Sequence, residues 1–244
     1  MAGLSAATNL SAAVLDPLLR ADASKPRITY YDDAIGERIE LSTVTFANWA
    51  AKTANLLRDE LGASAGTRVA ILLPAHWQTA AVAFGAWWMG AEVAIGAAAG
   101  ADIAMCTADR IPEADDAVGT VGDVVALSLD PFGRSVPDLP AGVTDYATSV
   151  RVQADQVIAE HRPGLALDGR SVENVLTAAL DSAAAHAISG DDRVLSTADW
   201  GTDAQLVDGL LAVFAVGASL VQVANPDPDI LARRRSTENI TRTL

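Results

Sequence analysis

The chain has 244 residues, half of them apolar, and 31 acidic against 17 basic side chains give a net charge of −14. That length holds one large or two small domains, and the apolar share predicts a packed core rather than disorder. The charge argues against nucleic acid, whose phosphates would repel it, and against anionic membrane surfaces.

Met1 to Ala13 has no basic start and no long apolar run, so it does not read as a signal peptide. Leu10 to Arg20 predicts a short helix limited by Pro17. Arg27 to Tyr31 and Arg38 to Leu41 are β-rich runs around an Asp-Asp-Ala-Ile-Gly turn, which predicts a hairpin. Ser42 stands where an N-cap belongs. Phe46, Trp49, Ala50, Thr53, Ala54, Leu57 and Leu61 then recur at steps of three and four, one apolar stripe on a helix closed by Gly62. Val69 to Leu73 is wholly apolar, as a strand covered on both faces requires. The charge-free run from Val69 to Ala91 has the length of a membrane span. Pro74, His76 and Gln78 interrupt it, so it reads as a buried strand followed by a buried helix, Trp77 to Met89. Val93 to Ile95 returns to the sheet, and this β-α-β order implies a parallel pair joined by a right-handed crossover. Further strands are expected at Ile103 to Thr107, Val124 to Leu127, Val194 to Ser196 and Ser219 to Val223. Asp130 to Gly142 reads as a loop, Gly209 to Val216 as a helix, and Pro226-Asp227-Pro228 opens a last short helix.

Taken together, Ile28 to Gly100 resembles the opening of the adenylate-forming enzymes, which include acyl-CoA synthetases, peptide-synthetase adenylation domains and luciferases. The shared features are a long helix ending in Leu61-Gly62, the strand that starts Thr67-Arg68-Val69-Ala70, and a second helix ending in Gly90-Ala91. Gly190 to Val223 resembles a later segment, in which a strand ends at a pocket corner and a helix runs beneath it. Asp199, Trp200 and Gly201 replace the corner's usual Pro-Leu-x-His. The resemblance implies an α/β fold with a mostly parallel sheet layered by helices. It describes a truncated, divergent relative of the N-terminal AMP-binding domain. Residues 1–26 are then a lead-in and 27–244 the domain, with two sheets drawn from 27–150 and 151–244.

The resemblance also implies what is missing. A Ser/Thr/Gly-rich loop with a lysine should follow Gly100, yet the two lysines, Lys25 and Lys52, both precede it. The magnesium-binding Glu, the ribose-binding Asp and the C-terminal catalytic lysine have no counterparts. The expectation is a non-catalytic protein, without cofactor, metal or catalytic residue, that binds a small acyl or nucleotide-like ligand or a partner protein. A ligase with a rebuilt or partner-completed nucleotide site is the alternative.

Candidate ligand-binding residues are Asp199, Trp200 and Gly201 at the corner. Arg162 and Arg170 join them, because planar guanidinium forks near the missing loop would suit an anion. Trp77, Trp87 and Trp88 read as core aromatics or as pocket walls. Gly62-Ala63-Ser64-Ala65-Gly66 spells a nucleophile elbow, but its helix-turn-strand order is the reverse of what that motif needs, so Ser64 reads as structural. Gly96 to Gly100 lacks a phosphate-loop spacing and opens toward Asp102. His76, His161, His186 and the single Cys106 show no metal-ligand spacing, and the lone thiol fits a reducing cytoplasm. The apolar Gly209 to Val223 run lies close to the end of the sequence and is expected to lack cover, which implies a homodimer or a partner chain.

Overall fold

A computed structural model of the protein describes residues 9–244. The first helix, α1 (Leu10–Asp22), is capped by Asn9, whose side chain accepts the Ala12 N–H. Pro17 lies inside this helix rather than limiting it. The missing N–H weakens one turn, but Leu10, Val14, Leu15 and Leu18 are buried and hold the helix to the core. The expected absence of a leader concerns residues largely outside the described range.

The hairpin β1 (Pro26–Asp32) and β2 (Glu37–Ser42) is antiparallel, pairing Tyr30 with Ile39 and Asp32 with Glu37. Ser42 caps α2 (Thr43–Asn55) by accepting the Thr45 N–H. One wide turn, Leu56–Glu60, extends this helix before Gly62, whose φ of +67° is the left-handed conformation glycine adopts freely. Strand β3 (Arg68–Leu72) leads to α3 (Trp77–Trp88), all of whose residues are buried, and then to β4 (Glu92–Ile95). Next come β5 (Ile103–Thr107), α4 (Ile111–Val118), β6 (Asp123–Leu127), β7 (Val143–Asp145) and α5 (Tyr146–Arg151). After a long irregular crossing follow α6 (Val172–Ala185), β8 (Arg193–Ser196), α7 (Asp203–Leu206), α8 (Ala212–Ala215) and β9 (Ser219–Ala224). The last elements are α9 (Pro228–Thr237) and β10 (Arg242–Thr243).

Among the described residues ten strands form two five-stranded sheets, ordered β10-β8-β9-β1-β2 and β4-β3-β5-β6-β7. The second is parallel throughout. Strand membership does not divide at residue 150, because β1 pairs in parallel with β9 and so carries the early hairpin into the late sheet. The reason is burial. Ile28 and Tyr30 of β1 are buried in the main core together with Leu220 of β9.

Helices α1, α2, α3, α6 and α8 fill the space between the two sheets. The pleat sends alternate residues to opposite faces: Val69 and Ile71 of β3 meet those helices, while Ala70 and Leu72 meet α4 on the outside. The outer face of the other sheet, Leu195, Val221 and Val223, is covered by Leu231 and Ile240. The Gly209 to Val223 run is therefore not left uncovered. Leu210, Leu211, Val213, Phe214, Leu220, Val221 and Val223 are buried within the one chain, because α6 packs on the helical part and Leu231 of α9 on the strand. Gly85 sets the spacing of α2 and α3: a Cβ there would lie 2.7 Å from Thr53 Cβ. Among the described residues no helix is long and apolar enough to cross a membrane.

Candidate functional site

Open parallel sheets present their ligands at the carboxyl ends of their strands, near the point where strand order reverses. In the second sheet that point is β3, flanked by β4 and β5. Its continuation, Leu73 to His76, meets the first sheet: Asp199, after β8, accepts the Ala75 backbone N–H at 3.3 Å. The carboxyl ends of β1, β3, β8 and β9 thus converge on one junction. A cleft of about 200 Å³ opens there, lined by Pro74, Ala75, Asp199, Gln222 and Asn225 among others.

Beneath this junction lies a buried pair that sequence reasoning missed. His76 is the N-cap of α3, its Nδ1 accepting the Gln78 N–H at 3.1 Å. With Nδ1 an acceptor, the proton of the neutral ring sits on Nε2. Nε2 faces Glu37 Oε1 at 3.9 Å, too far for a hydrogen bond, and the two side chains are 2% and 6% exposed. Burial pushes His76 down to about 3. Burial also pushes Glu37 up to about 7, helped by the negative charges of Asp32 and Asp130. At neutral pH the histidine is therefore uncharged, and the Glu37 carboxyl holds its proton to a higher pH than an exposed carboxyl does. Tyr30, whose hydroxyl burial also moves upward, packs edge-on against His76 with centroids 4.3 Å apart. A lone histidine on an apolar helix carries no sequence signal for this partner, because Glu37 lies on a different strand.

Seven buried side-chain nitrogen or oxygen atoms lack a hydrogen-bond partner among the described residues. Three of them gather at this end of the fold, Glu37 Oε1 and His76 Nε2 facing each other and Gln222 on the cleft wall, while Trp77 Nε1 lies on the far side of the Pro74–Gln78 turn and Trp200 Nε1 points at Gly209 in the core. The other two, Arg68 Nε and Arg170 Nε, belong to half-buried arginines. Each such atom costs stability unless something outside the chain satisfies it, so the cluster marks where a ligand or ordered water belongs.

The residues expected from sequence are placed as follows. Asp199 lines the cleft and also accepts the Trp200 N–H at 2.8 Å. Trp200 is 1% exposed and turned into the core. There the wide turn Val207–Leu211 brings Gly209 so close that a Cβ would lie 2.7 Å from Trp200 Nε1. Gly201 is exposed, with ordinary space around it. Arg170 is held to Asp203, at the start of α7, at 2.9 Å. Arg162 is not brought to this group. Its segment is bonded to the carbonyls of Trp88 and Gly90, at the amino end of the second sheet, and its guanidinium is exposed. Trp87 donates its indole N–H to the Ala166 carbonyl at 2.7 Å, a structural tie.

A wider cavity, about 440 Å³, lies at the amino ends of β3, β5 and β6 and is lined by Ser64 and its neighbours. It is shallow, and the Ser64 hydroxyl makes no hydrogen bond among the described residues, so volume alone does not locate the site here. Among those residues no three His, Cys, Asp or Glu side chains are placed to hold a metal ion.

A nucleoside triphosphate does not fit the residues present. Both lysines are occupied elsewhere: Lys25 donates to the carbonyls of Gly190 and Gly217, and Lys52 pairs with Asp155 at 2.8 Å. The charged side chains at the junction are the carboxylates Asp32 and Asp199, which repel phosphate, and among the described residues no lysine or arginine lines the cleft.

No family model matches the chain. It is 63% identical over 240 residues to a TIGR03089 family protein of Mycobacterium tuberculosis (strain ATCC 25618 / H37Rv), covering 97% of this chain and 98% of that one. The chain belongs to the TIGR03089 family. Solved structures place the family's fold. An acyl-CoA synthetase of Brucella canis superposes with a TM-score of 0.78 at 18% identity, over 96% of this chain and 46% of that one. A benzoate CoA ligase from Burkholderia xenovorans LB400 gives 0.73 at 17%, over 96% and 49%. The anthranilate CoA ligase AuaEII, solved with anthranoyl-AMP, gives 0.66 at 17%, over 87% and 44%. This TIGR03089 member therefore has the fold seen in those acyl-CoA ligases and spans less than half the length of those structures.

Proposed function

We propose that this TIGR03089 protein is a non-catalytic acyl-CoA synthetase-like protein that binds a small molecule at the junction of its two sheets. The observation that carries the reading is the gathering of three unpartnered polar atoms, Glu37 Oε1, His76 Nε2 and Gln222 Oε1, at the carboxyl ends of the strands, beside a cleft that Asp199 and Gln222 line. The carboxyls there favour an acyl or nucleoside-like group without phosphates. Adenylation is disfavoured on the same ground, because a developing phosphoryl charge needs fixed cations and none is aimed at the cleft.

Two measurements test this. Purified protein is expected to show no ATP–pyrophosphate exchange above background with a panel of carboxylic acids. A thermal-shift screen of acyl-CoAs, AMP, nucleosides and short acyl esters is expected to return a stabilising ligand whose shift falls in Asp199→Ala. Exchange activity of the chain alone would overturn the non-catalytic reading. The fold's likeness to whole ligases, of which this chain spans under half, favours one competitor: a ligase completed by a partner chain. Under that reading exchange appears only when a second protein is added.

A further inference from the structure

On the other side of the Pro74–Gln78 turn from the junction lies a separate cleft of about 270 Å³, between α2, α3, α5 and the loop after β6. We propose that it is a second ligand site, for a flat aromatic molecule of one or two fused rings. Four aromatic side chains form its walls: Trp49, Trp77, Phe132 and Tyr146. Trp49 and Trp77 already meet edge to face, with centroids 5.3 Å apart, a geometry that a third ring continues without rearrangement. Tyr146 is buried and its hydroxyl is fixed by Thr53 at 2.7 Å, so that wall is rigid.

Three further features separate this cleft from packing space. Trp77 is 4% exposed, and its indole N–H finds no acceptor among the described residues. An aromatic ligand carrying an acceptor, such as a ring nitrogen or carbonyl, would satisfy it. Phe132 is 81% exposed at the rim, in a loop whose neighbouring Gly133 has a φ of +64°. A large apolar ring held in water beside an apolar cleft loses less on burial than it gains, so a bound ring stabilises it as the fourth wall. The charges also bear on the ligand. The lining holds one acid, Asp130, and one base, Arg151, so no net charge selects an ion. Size sets the upper limit: a cavity of about 150 Å³ holds one benzene ring, so this one holds up to two fused rings.

The test uses matched probes and titration calorimetry, with quenching of the intrinsic tryptophan signal as a second readout. Benzyl alcohol is expected to bind about tenfold more tightly than cyclohexylmethanol, its saturated counterpart. Quinoline, which carries a ring acceptor, is expected to bind more tightly than indole, and that preference should vanish in Trp77→Phe. Phe132→Ser alters only an exposed side chain, so its melting temperature should match the parent while benzyl alcohol affinity falls about threefold or more. Equal binding of the aromatic and saturated alcohols, no binding of either, or an unaltered affinity in Phe132→Ser would each overturn the proposal. None of these outcomes bears on the junction cleft, because Asp199 and Gln222 do not line this one.

Discussion

The two faces of the β1–β2 hairpin obey opposite rules. Outward, Thr29, Tyr31, Asp33, Arg38 and Glu40 meet Arg193, Arg234 and Glu238 in a network where each charge has a partner. Arg234 grips Asp33 at 2.6 Å, with its guanidinium 3.8 Å above the Tyr31 ring. Glu238 pairs with Arg38 at 3.2 Å and also with Arg193, and accepts the Tyr31 hydroxyl. Inward, the same two strands present Tyr30 and Glu37, and Glu37 faces His76 across a gap that nothing in the chain fills. The outer face fastens α9 over the sheet. The inner face carries cost without a local return, which is the pattern expected where a protein keeps groups for a ligand.

The outer face should break hardest. Arg234→Met is expected to destabilise by about 3 kcal/mol, because it leaves the buried Asp33 carboxylate with the Asp227 backbone N–H as its remaining donor among the described residues. Both side chains are under 10% exposed, so solvent screening offers little relief. Urea denaturation measures it. A loss below about 1 kcal/mol would mean that α9 does not depend on this clamp.

On the inner face the expected signature is pH dependence rather than a large loss. Glu37 is raised from 4.5 to about 7, so the folded protein holds its proton where the unfolded chain has released it. That stability is present below pH 4.5 and is lost as pH rises through 7. His76 is lowered from 6.5 to about 3, so its contribution is present above pH 6.5 and is lost as pH falls through 3. Between pH 4.5 and 6.5 the two slopes, each at most about 1.4 kcal/mol per unit, oppose and cancel. Single substitutions should unmask them. His76→Asn keeps an N-cap and should lose about 2 kcal/mol as pH rises across that window. Glu37→Gln should gain about as much over the same range. Flat profiles in both variants would show that the pair titrates normally.

The sequence made the frame legible because periodicity is local. The stripe on α2, the apolar β3 run and the Ser42 cap all predict elements that the structure contains. The family resemblance supplied the layered α/β fold in the same way, from contiguous segments. What stayed hidden depends on distant pairing. Nothing local announces that β1 lies beside β9, or that α9 covers Val221 and Val223. Pro17 misled because a proline rule outweighed an apolar face that packing preserves. The Glu37–His76 pair was invisible for a related reason: each residue looks ordinary until the fold brings β2 against the start of α3. The place of Asp199, shortly after β8, was legible from the apolar run it follows. Arg162 was not, since its place depends on how the long crossing before α6 folds back to Trp88 and Gly90.

The smallest expected effect gives the sharpest contrast, because it compares adjacent tyrosines on opposite faces of one strand. Tyr31 donates its hydroxyl to Glu238 and accepts from Arg38 Nε at 2.8 Å, so both its bonds involve charged groups. Removing that hydroxyl in Tyr31→Phe should cost about 1.5 kcal/mol, in the range for hydrogen bonds to ionised partners. Tyr30 is 5% exposed, yet its hydroxyl makes no hydrogen bond among the described residues. Tyr30→Phe removes no partner and should change stability by less than about 0.5 kcal/mol. Equilibrium unfolding of the two variants side by side decides the matter. If Tyr30→Phe costs as much as Tyr31→Phe, the inner face is satisfied after all, by ordered water held between Tyr30, Glu37 and His76. If it costs nothing but weakens a ligand found by the thermal-shift screen, the hydroxyl serves the site rather than the fold.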